Sequence, residues 1–220
     1  MDAESGKITL NNAVEGYIYN CSRSLGAIDR AIDKSQIAIQ QVKTCLSHIP
    51  KNSDFSTAEY MEYSIENYII RSRSIYDRAL IFVGNLFDLG ISNDSITHLL
   101  ITTNQHVKQN KLDAILKTIK KACDTYQYKR NVIIHHDNLI DEQFDTIATI
   151  ISAYHLSAKA GKDEPFSEGK VKFYSKQIIK SKIAEYNENL KIITECVTSL
   201  YDACEIIYLR KKLELLKGAQ

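Results

Sequence analysis

Residues 14–46 read VEGYIYNCSRSLGAIDRAIDKSQIAIQQVKTCL. Apolar side chains recur in this stretch at intervals of three, four or seven residues, which is the period of one face of an α-helix. The apolar positions are Val14, Ile18, Cys21, Leu25, Ile28, Ile32, Ile39, Val42 and Leu46. The pattern predicts one long amphipathic helix from Asn11 to about His48.

Similar patterns continue along the rest of the chain. Pro50 ends the first helix, and Ser56 or Thr57 can cap a second long helix that reaches about Leu89. Gly90 suits the C-terminal cap of that helix. Shorter helices are predicted at 94–103, 108–126 and 141–158, a loop at 159–170, and a third long helix from about Val171 to Leu216.

The composition favours a helical protein of one domain. Of 220 residues, 44% are hydrophobic and 25% are charged, which is ordinary for a globular chain. Eight Gly and two Pro leave few helix breakers. The last helix cannot bury its apolar face alone and must pack on the rest. We therefore predict a flexible tail at 1–9 and a single domain at 10–220, an all-α, elongated up-down bundle with three long helices and several shorter ones.

Charge and cysteine usage exclude several classes of protein. The net charge of +1 gives no global field toward nucleic acid or membrane. Five widely spaced cysteines without a CxxC pair indicate reduced thiols and no disulfide framework. The first residues, MDAESGKITL, are unlike a signal peptide, and no stretch approaches the roughly 18 apolar residues of a membrane span. We expect a cytoplasmic protein with no membrane partner.

The main functional pattern is RNVIIHHD at residues 130–137. On a helix, Asn131 and His135 lie on one face, one turn apart, and the long Arg130 side chain can reach the same region. A helix that begins near Arg130 would add free amides and a positive dipole end, which favour a phosphate. The pattern indicates a phosphate site. The alternative is that these residues serve packing and that their spacing arose by chance.

Residues 130–135, Arg-Asn-Val-Ile-Ile-His, resemble the Arg-(x4–6)-His pattern of the HEPN superfamily, the higher eukaryotes and prokaryotes nucleotide-binding domains. The long helices extend this resemblance from about residue 10 to the end of the chain. It implies a homodimeric, metal-independent endoribonuclease without a cofactor, acting as a toxin or phage-defence factor. By resemblance, Arg130 would stabilise charge on the phosphate, Asn131 would orient the site, and His135 would act as acid and base.

The resemblance also implies partners, and it has one departure. RNA or nucleotide would be bound, and an antitoxin or another regulatory protein is an expected partner. A subgroup of HEPN toxins carries tyrosine two residues after the histidine, where this chain has Asp137. The alternative function is a non-catalytic HEPN-like module that binds nucleotide, RNA or a protein.

The chemistry of the residue types fits this reading independently of the family. Cleavage of RNA without a metal needs groups that accept and donate protons, and histidine titrates near pH 6.5. Arginine presents a planar fork of donors to a phosphate. In a dimer, a second copy of the motif would supply the second proton-transfer group.

Several other residues are candidates for supporting roles. His136 and Asp77 are predicted to support the motif. A locally basic segment with tyrosines next to the motif predicts contacts with single-stranded RNA, although a solvated helix face would look the same. Its candidate residues are Lys120, Lys121, Tyr126, Tyr128 and Lys129. The stripe of Lys172, Lys176 and Lys180 is interpreted as a solvated face. The other histidines lack ligands at metal-binding spacing, so no metal site is expected.

Overall fold

The structure is a computed structural model that describes residues 10, 12–45, 54–136, 139, 141–161 and 167–218. In those ranges the regular secondary structure is entirely helical, and no β-strand is present. The all-α prediction is therefore confirmed. The α-helices are α1 (Ala13–Thr44), α2 (Thr57–Leu86), α3 (His98–Thr103), α4 (Gln105–Gln109), α5 (Leu112–Cys123), α6 (Gln127–His136), α7 (Glu142–Lys159) and α8 (Glu168–Gly218).

The three long helices are confirmed as α1, α2 and α8, with 32, 30 and 51 residues. The predicted tail at 1–9 and residues 162–166 of the predicted loop at 159–170 lie outside the described residues. Ser56 caps α2 as predicted, because its hydroxyl accepts from the Glu59 amide at 3.3 Å while Glu59 Oε2 accepts from the Ser56 amide at 2.6 Å. This reciprocal pair satisfies two amides that the helix itself leaves free.

The prediction that Gly90 caps the end of α2 is wrong. Asp88 adopts φ 51°, the left-handed conformation that closes a helix. The Leu89 amide then donates to the Gly84 carbonyl and the Asp88 amide to the Asn85 carbonyl, each at 3.1 Å. Aspartate tolerates this conformation better than most residues, so Asp88 can take the position usually held by glycine.

The two short helices predicted after α2 are each interrupted. A 3₁₀ turn at Asn93–Ser95 precedes α3, whose amides are capped by the Thr97 hydroxyl, which accepts from the Leu100 amide at 3.2 Å. The predicted helix at 108–126 is divided because Lys111 has φ 58°. A helix cannot continue through a left-handed residue, so α4 ends before it and α5 begins after it.

The chain forms two compact units, and the first comprises Met1–Ala31, Ser74–Ala122 and Ile193–Gln220. Its core is mostly aliphatic and also contains buried aromatic side chains, among them Tyr76 and Phe82. The Tyr17 hydroxyl donates to the Leu86 carbonyl at 3.0 Å, and the Tyr201 hydroxyl to Asp29 Oδ1 at 2.7 Å. Its fully buried side chains include Ile28, Ile75, Val83, Leu86, Ile101, Leu116 and Leu200.

The second unit comprises Ile32–Arg73 and Cys123–Ile192, and it contains the whole motif at 130–135. Tyr68 and Tyr186 stack at its centre with ring centroids 4.3 Å apart, and the Tyr68 hydroxyl donates to Asn189 Oδ1 at 2.8 Å. Buried tyrosines need such partners for their hydroxyls. Around them lie Ile39, Met61, Ile65, Ile69, Phe144 and Ile147. The single-domain prediction for 10–220 stays a prediction.

Two further features concern the state of the cysteines and the apolar character of the helices. All five cysteines are free, and four of them are buried. Among the described helices, none combines the length and the apolar character that spanning a membrane requires.

Candidate active site on helix α6

Helix α6 carries the motif in its interior. Residues 112–136 run through α5, a 3₁₀ turn at Asp124–Tyr126 and α6, with helical backbone angles at both junctions, Cys123 and Gln127. Arg130 is therefore the fourth residue of α6, so a helix continues through this segment and does not begin at Arg130. No Gly or Pro interrupts this stretch. Arg130 consequently has no free helix-terminal amides beside it to hold a phosphate.

Arg130 and Asn131 lie in contact. The Arg130 side chain is half-buried, and its Nη1 donates toward Asn131 Oδ1 at 3.4 Å. The Arg130 Nε is buried and has no hydrogen-bond partner among the described residues. A buried donor without an acceptor costs about 1–3 kcal/mol. Arg130 therefore has a donor without an acceptor, and its guanidinium lies next to the Asn131 side chain.

His135 lies one helical turn after Asn131. Both side chains are exposed, and their spacing of four residues places them on the same face of α6. Ile133, on another face, is buried and anchors this end of the helix. The structure thus brings Arg130 and Asn131 together and presents His135 beside Asn131. His136 ends α6, and its side chain, like the whole of Asp137, lies outside the described residues.

A buried ionic network adjoins the motif, and the sequence did not reveal it. Asp141 Oδ2 accepts from Lys129 Nζ at 2.5 Å and from Lys182 Nζ at 2.7 Å, and Lys182 also contacts Glu185 at 3.2 Å. The other oxygen of Asp141 caps α7 by accepting from the Phe144 amide at 3.1 Å. The network joins α6, α7 and α8. Its residue on α6, Lys129, directly precedes Arg130 in the sequence.

The electrostatics of Asp141 follow from these partners. Burial raises the pKa of its carboxyl group, but the hydrogen bonds from Lys129 and Lys182 outweigh burial and hold the pKa at about 2. The sequence could indicate that Asp141 caps α7, because an acidic residue, Asp145, follows it in the first turn and accepts a hydrogen bond from the Asp141 amide. The sequence could not indicate its two lysine partners, which lie 12 and 41 residues away along the chain.

The predicted RNA-contacting residues are placed very differently. Tyr126 is only 8% exposed, and its ring packs against Tyr68 and Tyr186 with centroids 6.2 and 5.6 Å away, so it is not presented to a base. Tyr128 is 71% exposed. The Lys129 ammonium is engaged by Asp141. Of the two predicted tyrosines, Tyr128 is therefore the one whose ring can stack on a base.

The remaining candidates belong to the first unit. Asp77 is exposed on α2, Lys121 is exposed and Lys120 half-buried on α5. Within the second unit, Arg73 Nε pairs with Asp124 Oδ1 at 2.8 Å. Support of the motif by Asp77 stays a prediction.

Comparison with known proteins gives one result. No curated protein and no solved structure is a significant match to the chain. Residues 14–205, which include the whole second unit and most of the first, match the Cthe2314-like HEPN family. The chain therefore belongs to the Cthe2314-like HEPN family, a group of HEPN domains that suggests a nucleotide-binding or RNase-like module.

Proposed function

We propose that this protein is a metal-independent endoribonuclease in which Arg130, Asn131 and His135 act on one phosphodiester. The observation that carries the proposal is the half-buried guanidinium of Arg130, with an unpartnered Nε and an Nη1 held 3.4 Å from Asn131 Oδ1, beside an exposed histidine. A fixed cation and a proton-transfer group at one surface are the components that this reaction needs.

The proposed reaction is an internal displacement at phosphorus. A base removes the proton of the 2′-hydroxyl, and that oxygen forms a bond to phosphorus while the bond from phosphorus to the 5′-oxygen breaks. The leaving 5′-oxygen takes a proton from an acid, so the products are a 2′,3′-cyclic phosphate and a 5′-hydroxyl. Arg130 would bind the non-bridging oxygens, on which negative charge grows in the transition state. His135 would transfer one of the two protons.

The second proton-transfer group is expected from a second copy of the chain. A symmetric dimer that brings two segments 130–136 together would supply one histidine for each proton. We predict a particle of twice the 25.0 kDa chain mass in solution, measured by light scattering on a sizing column. Mixed dimers of wild-type and His135→Ala chains keep only one of the two His135 side chains in the shared site and should lose activity. A monomeric, fully active protein would contradict the shared site.

A non-catalytic module that binds nucleotide, RNA or a protein is the second candidate. It is supported by the family match, because HEPN domains suggest nucleotide-binding as well as RNase-like modules. A toxin or defence role, with an antitoxin or regulatory partner, extends the enzymatic proposal.

One assay separates the two candidates. The purified protein is incubated with end-labelled single-stranded RNA in the presence of EDTA, and the new ends are analysed. Cleavage that leaves 2′,3′-cyclic phosphate supports the endoribonuclease. Binding of the RNA without cleavage supports the module and rejects the enzyme.

A further inference from the structure

A groove in the second unit is lined by lysines from two helices, α1 and α8. It has a volume of about 750 Å³ and lies between α8 and α7, with Lys43 of α1 and Thr57 of α2 also contributing to its wall. On α8, Lys172, Lys176 and Lys180 line it. These lysines follow one another at intervals of four residues, about 6 Å along the helix axis. The groove therefore presents a row of cations and a separate cation from α1.

Among the described residues that line this lysine groove, most of the positive charge is uncompensated. The one carboxylate among them, Glu168, is bound to Lys172. Lys43, Lys176 and Lys180 are exposed, and in the described part of the chain they have no ion-pair partner. A neighbouring groove between α7 and α8 is lined instead by Glu142 and Asp145, without a lysine. Charge is thus separated between the two grooves, and one of them suits a polyanion.

The floor of the lysine groove is apolar, which distinguishes it from a solvated helix face. Ile151 and Ile179 are buried in it, and Ile183 and Tyr154 are half-buried. Cations alone would attract any anion. Cations beside aliphatic and aromatic side chains also suit a single-stranded nucleic acid, because its bases pack on the apolar surface while lysines contact its phosphates.

We propose that the lysine groove binds a segment of single-stranded RNA, with phosphates on Lys43, Lys176 and Lys180 and bases against the apolar floor. The choice of RNA among polyanions rests on the proposed function. The groove is a binding site additional to Arg130, Asn131 and His135, and none of its lining residues belongs to that motif. The groove would bind a part of the RNA other than the phosphodiester that is cleaved. It would therefore raise the affinity for RNA and take no part in the reaction.

The test uses an RNA that cannot be cleaved. A fluorescent 2′-O-methylated oligouridine is titrated against the full-length protein at a series of salt concentrations. Each phosphate contact on a single strand contributes about 0.7 to the slope of log K against log salt, so the double variant Lys176→Gln/Lys180→Gln should lower that slope by about 1.4. The control variant Lys34→Gln/Lys217→Gln removes two exposed lysines outside the groove and should leave the slope unchanged.

The outcomes separate this inference from the proposed function. An unchanged slope in the groove variant overturns the groove, even if the wild-type protein cleaves RNA. A lowered slope supports the groove, even if the protein cleaves nothing and the enzymatic proposal fails. Polyglutamate is the competing probe. If it displaces the oligonucleotide from wild-type protein as effectively as unlabelled RNA does, the assignment to nucleic acid is overturned in favour of an acidic protein segment.

Discussion

Replacement of His135 by alanine is expected to slow RNA cleavage at least about 100-fold, because positioned proton transfer typically contributes that much or more. The side chain is exposed on α6 and has no structural partner among the described residues, so the variant should fold normally. The rate is measured under single-turnover conditions with labelled RNA in EDTA. Arg130→Ala should lose activity by a similar factor, since a cation that meets transition-state charge contributes about 10²–10³.

Controls for these variants come from the first unit. His106→Ala and Arg23→Ala remove one exposed residue of each type and should keep wild-type rates. Circular dichroism and thermal unfolding should be the same for all four variants. If either His135→Ala or Arg130→Ala keeps full activity, α6 is not the site of cleavage, and the nuclease activity belongs elsewhere on the chain.

Replacement of Asp141 by asparagine is expected to lower the free energy of unfolding by about 3 kcal/mol, the lower end of the range for breaking a buried ion pair. Asparagine keeps the size of the side chain but removes the negative charge between two lysines. Among the described residues, Lys182, which is buried, would then retain Glu185 alone as an ion-pair partner. The change is measured by urea unfolding at neutral pH. A loss below about 1 kcal/mol would contradict a stabilising role for the network.

A matched variant and the pH dependence sharpen this prediction. Asp113→Asn removes a carboxylate from the exposed Asp113–Lys117 pair and should have no measurable effect. The folded-state pKa of Asp141, about 2, lies below its ordinary value of 3.8. The stabilisation is therefore complete above about pH 4 and is lost as the pH falls toward 2, by about 2 kcal/mol in total. Wild-type protein should show this loss, and Asp141→Asn should lack it.

The long helices could be predicted because their signals are local and repeated. Dozens of residues in α1, α2 and α8 share one period, so single exceptions do not change the result. The end of α2 and the break between α4 and α5 were missed, since Asp88 and Lys111 adopt left-handed backbone without the glycine that usually marks it. The sequence left open whether a helix begins or continues at Arg130, because a helix that continues through a 3₁₀ turn gives no sequence signal of where it starts.

The candidate site could be predicted only in its local part. Arg130, Asn131 and His135 lie within six residues, so helical spacing was enough to relate them. Whether Tyr126 faces solvent or the core depends on Tyr68 and Tyr186, which come from distant parts of the chain. The same holds for Lys129, whose partner Asp141 is brought to it by the packing of α7. Side-chain roles that depend on such contacts require the folded structure.

The central claim is that Arg130, Asn131 and His135 contact one phosphodiester. Nuclear magnetic resonance of the Arg130 Nε–H group and the His135 ring tests it directly, during titration with the uncleavable 2′-O-methylated oligonucleotide. We predict that both signals move together and give a single Kd, because a phosphate bound by the guanidinium would change the surroundings of the Arg130 Nε–H group and of the His135 ring together. A His135 signal that moves while the Arg130 Nε–H signal stays fixed, or the reverse, would contradict a shared site.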